Sequence, residues 1–136
     1  MPTLTCTVTI PAPRQTVWER FTAPEHVTQW YFAADTWHAP RATNDLRVGG
    51  EFTIRMEERD GPSGFDFTGT YTAVQPPRHL AYALTDGRVV HVDFAEADGA
   101  TTVTETFDTE DANADEQQRA GWQAILDNFK RYCERD

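Results

Sequence analysis

The sequence predicts an α+β fold, an antiparallel sheet of about six to seven strands covered by a long C-terminal helix, with two short helices after the first strand. Three observations predict it. Stretches of apolar–polar alternation follow one another, which is the period of half-buried strands. Turn residues separate them at short intervals, so successive strands pair as antiparallel neighbours. The last stretch changes to a spacing of three and four, the period of one helix face.

Thr3-Leu4-Thr5-Cys6-Thr7-Val8-Thr9-Ile10 alternates without a miss and carries threonine at every odd position. This is a strand with one buried face, stopped by Pro11 and Pro13. Val17, Trp18 and Phe21 suit a short helix over 14–21. Pro24 is placed to begin a second helical piece running through Val27, Trp30 and Tyr31. Thr36-Trp37-His38-Ala39 reads as a short strand, and Asp45-Leu46-Arg47-Val48-Gly49-Gly50 as a loop. Phe52, Ile54 and Met56 then alternate with Thr53, Arg55 and Glu57. The turn cluster over 60–64 leads into a strand with Phe65, Phe67, Gly69 and Tyr71 on one face, ended by Pro76-Pro77-Arg78.

Leu80 to Leu84 and Arg88 to Glu96 are the next strands, the second with Val90, Val92 and Phe94 on one face. Asp86-Gly87 between them is a favoured two-residue hairpin turn, and Asp98-Gly99 makes another into Thr101–Phe107. Asn113-Ala114-Asp115-Glu116 carries the cap residue and later Glu of a capping box. Trp122, Ile125, Leu126, Phe129, Tyr132 and Cys133 form one apolar stripe on the helix that follows. A helix of about 20 residues is roughly 30 Å long, as is a strand of about nine, so it can lie along the whole sheet.

The 136 residues fit one domain over 1–136. Eight Phe, four Trp and four Tyr with a hydrophobic share of 39% argue against disorder. No apolar run is long enough to span a membrane, and the absence of a secretory signal points to the cytoplasm. The net charge of −10 opposes nucleic acid and anionic lipid as partners. Cys6 and Cys133 are expected as buried thiols, since free cysteine is among the most buried residue types.

Several motifs occur together in a known order. Pro13-x-x-x-Val17-Trp18, Thr22-Ala23-Pro24-Glu25 and Trp30-Tyr31 resemble the opening of the domain named for the activator of Hsp90 ATPase. Asp45-Leu46-Arg47-Val48-Gly49-Gly50-Glu51-Phe52 resembles its most recognisable segment. Pro76-Pro77-Arg78-His79-Leu80, Thr101-Thr102-Val103-Thr104 and Gly121-Trp122 resemble its later landmarks. The resemblance covers nearly the whole chain. It implies the helix-grip fold of the START and Bet v 1-like superfamily, with a cavity between sheet and helix that often holds an apolar small molecule.

Geometry supports the same expectation, since one helix across a curved sheet touches it along a line and leaves space to either side. Trp30, Trp37, His38, Phe52, Phe67, Tyr71, Tyr82, Trp122, Ile125 and Phe129 are the candidate ligand-binding residues. The small residues Gly69, Ala73, Ala81, Ala83 and Gly121 leave room between them. The alternative is that these aromatics interdigitate into a solid core.

Other chemistry finds little footing. His26, His38, His79 and His91 fall in four segments with no metal-ligand spacing. His91 and Asp93 share a strand face, but Val90, Val92 and Phe94 claim the inner one, so that pair points to solvent. Gly49-Gly50 lacks the lysine and helix of a phosphate loop and is assigned to the fold. The acidic run over 108–116 suits a helix N-terminus. No catalytic residue, cofactor or metal site is assigned. The expected function is non-catalytic binding of a small hydrophobic or aromatic molecule. A cyclase, dehydratase or hydrolase using cavity polar groups is the first alternative, and a protein-interaction module the second. A homodimer is compatible with the sequence; a chaperone partner is suggested by the family name alone.

Overall fold

The computed structural model describes residues 3–109 and 114–134. Its elements run β1 (Thr3–Ile10), α1 (Arg14–Thr22), α2 (Pro24–Val27), β2 (Trp37–Asn44), β3 (Glu51–Glu58), β4 (Gly64–Gln75), β5 (His79–Leu84), β6 (Val89–Ala97), β7 (Ala100–Asp108) and α3 (Asp115–Glu134). The seven strands form one sheet in the order β1-β7-β6-β5-β4-β3-β2, with every neighbouring pair antiparallel. Two ends of the chain order therefore meet: β1 pairs with β7, and only β2 and β1 are edges. The sheet curls into a half-barrel around α3.

Alternation decides the faces. On β1, Cys6, Val8 and Ile10 are buried while Thr5, Thr7 and Thr9 are exposed. The outward threonines meet those of β7, Thr9 and Thr102 by a hydroxyl hydrogen bond of 3.1 Å. On β6, Val90, Val92 and Phe94 are sealed in the core. On β7 the inward residues are Thr101, Val103, Glu105 and Phe107.

Three elements differ from the expected ones. The second helix stops at Val27, and the chain reaches Trp30 and Tyr31 by hydrogen-bonded turns, Tyr31 N donating to Val27 O at 3.0 Å. That turn is held by α3, whose buried Asn128 donates Nδ2 to Trp30 O at 2.8 Å. The strand expected at 36–39 continues to Asn44, and its pairing with β3 shifts register between His38 and Arg41, around Pro40. An edge strand tolerates the missing donor of a proline; a central one would not. Asp98-Gly99 is the two-residue turn expected, with both residues at positive φ (55° and 80°). At Asp86-Gly87 only Gly87 (φ 91°) is left-handed, and Leu84 N donates to Arg88 O at 2.8 Å, which makes the connection longer. Asp86 fastens it by accepting from Arg88 N and Nε at 3.1 and 2.7 Å.

The segment over 45–50 is structural. Gly49 N donates to Tyr71 O and Tyr71 N to Gly50 O, each at 2.9 Å, so the loop is laced to β4. A Cβ on Gly50 would lie 2.1 Å from Asp45 O, which explains why glycine stands there. The capping residue expected at Asn113 and the rest of 110–113 in the acidic run lie outside the described residues; the described helix begins at Asp115, with Gln118 N donating to Ala114 O at 3.1 Å.

The core sits between the concave sheet and the helices. Leu126 and Phe129 of α3 are wholly buried, and Phe129 meets Trp30 at 4.4 Å between ring centroids and Phe21 at 5.3 Å. Trp18 and Phe21 of α1 pack on Phe94 of β6. Cys6 and Cys133 are both buried.

Candidate functional site

Two apolar hollows, both open to solvent, lie beside the sheet. The smaller, about 40 Å³, is bounded by α1 and α2 on one side and by Phe52, Tyr71 and Tyr82 of the sheet on the other. The larger, about 370 Å³, lies under the first turns of α3, against β3 and β4. Its walls are Tyr31, Met56, Phe65, Phe67, Trp122 and Ile125, with Arg88, Gln117, Gln118 and Gly121 also facing it. Tyr31 is a wall of both. Its ring stacks on Phe67 at 5.6 Å, so one side chain separates the two.

The expected ligand-binding residues are thereby distributed. Phe52, Tyr71 and Tyr82 line the smaller hollow; Phe67, Trp122 and Ile125 line the larger. Trp30 and Phe129 are buried against each other in the core and line neither. Trp37 meets Phe65 edge-on at 5.9 Å. His38 faces a separate, polar depression with Asp35, Arg59 and Asn128, and its Nε2 is 3.8 Å from Glu57 Oε1.

Of the small residues, Gly69 leaves no room. A Cβ there would come 2.5 Å from the Phe52 ring and 3.1 Å from Tyr82, because those rings already occupy the space. Gly121 does: a Cβ on it would meet nothing within 4 Å. Gly121→Ala is therefore expected to stabilise α3 by about 0.5–1 kcal/mol in urea denaturation. A loss of stability instead would mean that the hollow beside it closes in solution.

A buried acidic residue not singled out from the sequence, Glu105, lines neither hollow but acts on the Tyr31 and Tyr82 phenols that do. Glu105 is 3% exposed on the inward face of β7, opposite Cys6 on β1 and Val92 on β6. Burial alone pushes its carboxyl up to about 8. Its field reaches Tyr31 and Tyr82, both held well above the ordinary phenol range chiefly by burial, and the Tyr82 hydroxyl is in hydrogen-bonding contact with Tyr31. Tyr71 donates to Asn44 Oδ1 at 2.7 Å, and burial pushes its phenol up to about 12. The signal for Glu105 was present: extending the alternation of Val103 and Phe107 by two puts residue 105 inside.

Two of the histidines lie together elsewhere. His91 and Asp93 are exposed on the convex face, where Asp93 pairs with His79 at 2.8 Å and His79 stacks on His91. Among the described residues no group of three or more His, Cys, Asp or Glu is arranged to hold a metal ion. Nor is any described helix long and apolar enough to cross a membrane.

A half-barrel of antiparallel strands with a C-terminal helix and short helices after β1 is the helix-grip fold of Bet v 1-like proteins. Within it the chain belongs to the family described as activator of Hsp90 ATPase homolog 1-like protein, whose model matches residues 11–134. It is similar to a solved AHSA1-like protein from Aeromonas hydrophila, at 44% identity and a TM-score of 0.89, covering 96% of this chain and 92% of that one. A solved protein from Cytophaga hutchinsonii is 42% identical with a TM-score of 0.83, covering 96% of this chain and 90% of that one. One from Chromobacterium violaceum shares the fold at 19% identity, with a TM-score of 0.85 and full coverage of both chains. No curated protein matches the chain.

Proposed function

We propose that this protein binds a small hydrophobic or aromatic molecule, without turning it over, in the hollow between the sheet and α3. The observation that carries the reading is the hollow of about 370 Å³ walled by Tyr31, Phe67, Trp122 and Ile125. Ligand sites are apolar clefts of roughly 300–1,000 Å³ with a few placed polar groups, and Gln117 and Gln118 supply amides here. Leu126 and Phe129, further along α3, hold the helix in the core, Phe129 against Phe21 and Trp30, so space near its first turns remains open without weakening that hold.

A panel of lipophilic compounds, read by thermal shift and native mass spectrometry, tests the reading. A ligand at about 100 times its dissociation constant adds roughly 2.7 kcal/mol to stability. Gly121→Phe, which places a ring in the hollow, is expected to remove that gain while leaving the unliganded protein folded. Absence of any shift across the panel would overturn the proposal.

One observation favours a second reading, an enzyme of the cyclase, dehydratase or hydrolase kind. Tyr82 is buried within the field of Glu105, a phenol and a carboxyl that can hold and pass a proton. Product formation from a panel compound, lost in Tyr82→Phe, would favour it over simple binding.

A further inference from the structure

We infer that Glu105, together with Tyr31 and Tyr82, is the recognition point for a ligand cation: an organic ammonium whose apolar or aromatic body fills the hollow under α3. The inference rests on the binding reading above and adds the charge of the ligand.

Proteins rarely leave a buried carboxyl without a hydrogen-bond donor or a cation. Among the described residues nothing supplies Glu105 with either, and burial is the sole influence on its proton. The groups facing it are Cys6 from β1, Tyr82 from β5 and Tyr31 from the turn after α2, with Tyr71 of β4 acting on both phenols. On β6 its neighbour is Val92. From α3, Arg119 and Asp127 act on Cys6. None of these places a positive charge at Glu105.

A route for a cation is present. Tyr31 stacks on Phe67, Phe67 meets Trp122 edge-on at 6.3 Å, and Trp122 stacks on Phe107 at 4.3 Å. Phe107 is the next inward residue after Glu105 on the same strand. Ring contacts thus run from the hollow to Phe107, two residues along β7 from Glu105, which itself lines neither hollow; the faces of such rings attract ammonium groups. Arg88, which also faces the hollow, is held by Asp86 at 2.7 Å. The net charge of −10 draws cations toward the protein from a distance. Because Tyr31 is a wall of both hollows and lies in the field of Glu105, its movement would join the spaces and admit the charged end.

Benzyltrimethylammonium, whose charge does not change with pH, and its neutral counterpart neopentylbenzene make the test, with binding followed by calorimetry and ligand-detected NMR. The ion pair needs Glu105 ionised, so the cation's dissociation constant should fall roughly a hundredfold from about pH 6 to about pH 9. About one proton per cation should be released at the lower pH. Neopentylbenzene should show no such trend, and Glu105→Gln should abolish it for the cation while still binding neopentylbenzene. Cation binding that is flat with pH, or unaltered in Glu105→Gln, overturns the inference while neopentylbenzene binding keeps the apolar-site reading intact. Acetophenone bound more tightly below about pH 8, with the cation not bound, overturns it in favour of a neutral ligand that accepts a proton from Glu105. If none of the probes binds, the binding reading itself falls. The pH trend of the unaltered protein suffices even if the variant misfolds.

Discussion

Glu105→Gln will match the unaltered protein in stability near pH 5 and exceed it at alkaline pH. Glu105 has its ordinary carboxyl value of 4.5 in the unfolded chain and about 8 when folded. Between those values the unfolded state has released the proton and the folded state still holds it. Stability must therefore fall as pH rises through that window and level off above it. The stabilising contribution of the neutral acid is fully present below about pH 4.5. A shift of this size corresponds to a loss on the order of 5 kcal/mol by about pH 9. Glutamine has nearly the same shape and no charge, so the variant lacks this loss. Other titrating groups act equally in both proteins and cancel in the difference. Urea denaturation of the pair at about pH 5, 7 and 9 measures it directly. Parallel stability curves would mean that water or a partner group reaches the carboxyl in the folded state.

Phe129→Ala has an effect of comparable size with no pH dependence. Phe129 is wholly buried where α3 meets the turn after α2, with Trp30 and Phe21 against its ring. Removing it leaves a void that rigid rings cannot close, at a cost of about 3–5 kcal/mol. That is a large part of the 5–15 kcal/mol typical of a whole domain, and the midpoint of thermal unfolding should drop by about 10–15 °C. Phe65→Ala is the control, since Phe65 is 47% exposed and should cost little. Equal losses in the two variants would show that Phe129 does not anchor α3 against α1 and the turn after α2.

Local pattern carried most of the architecture. Threonine at alternate positions of β1, the Asp98-Gly99 turn and the apolar stripe of α3 each express a rule that acts over a few residues. The failures occurred where a distant partner intervened. The chain after Val27 turns rather than continuing as helix, with Asn128, far along the sequence, donating to Trp30 O. Pro40 sits inside β2 because that strand lies at an edge, which depends on the sheet's order. Gly69, expected to leave room, is instead the seat of the Phe52 ring across the β3–β4 pair.

The candidate site was legible in kind and not in detail. Aromatic residues on inward faces announced an apolar interior, and six of the ten expected ligand-binding residues line the two apolar hollows. Which rings fill space and which bound it depends on side chains brought together from seven strands and three helices, and a difference of one ring decides between a hollow and a solid core. The sequence alone determined the alternation, the turns and the helix face, because these follow from repeat distances along a single backbone. Only the tertiary structure decided that Glu105 is sealed inside, that Tyr31 separates two spaces and that the larger one lies under the start of α3. Burial and volume are properties of many chain segments at once, and no stretch of sequence contains them.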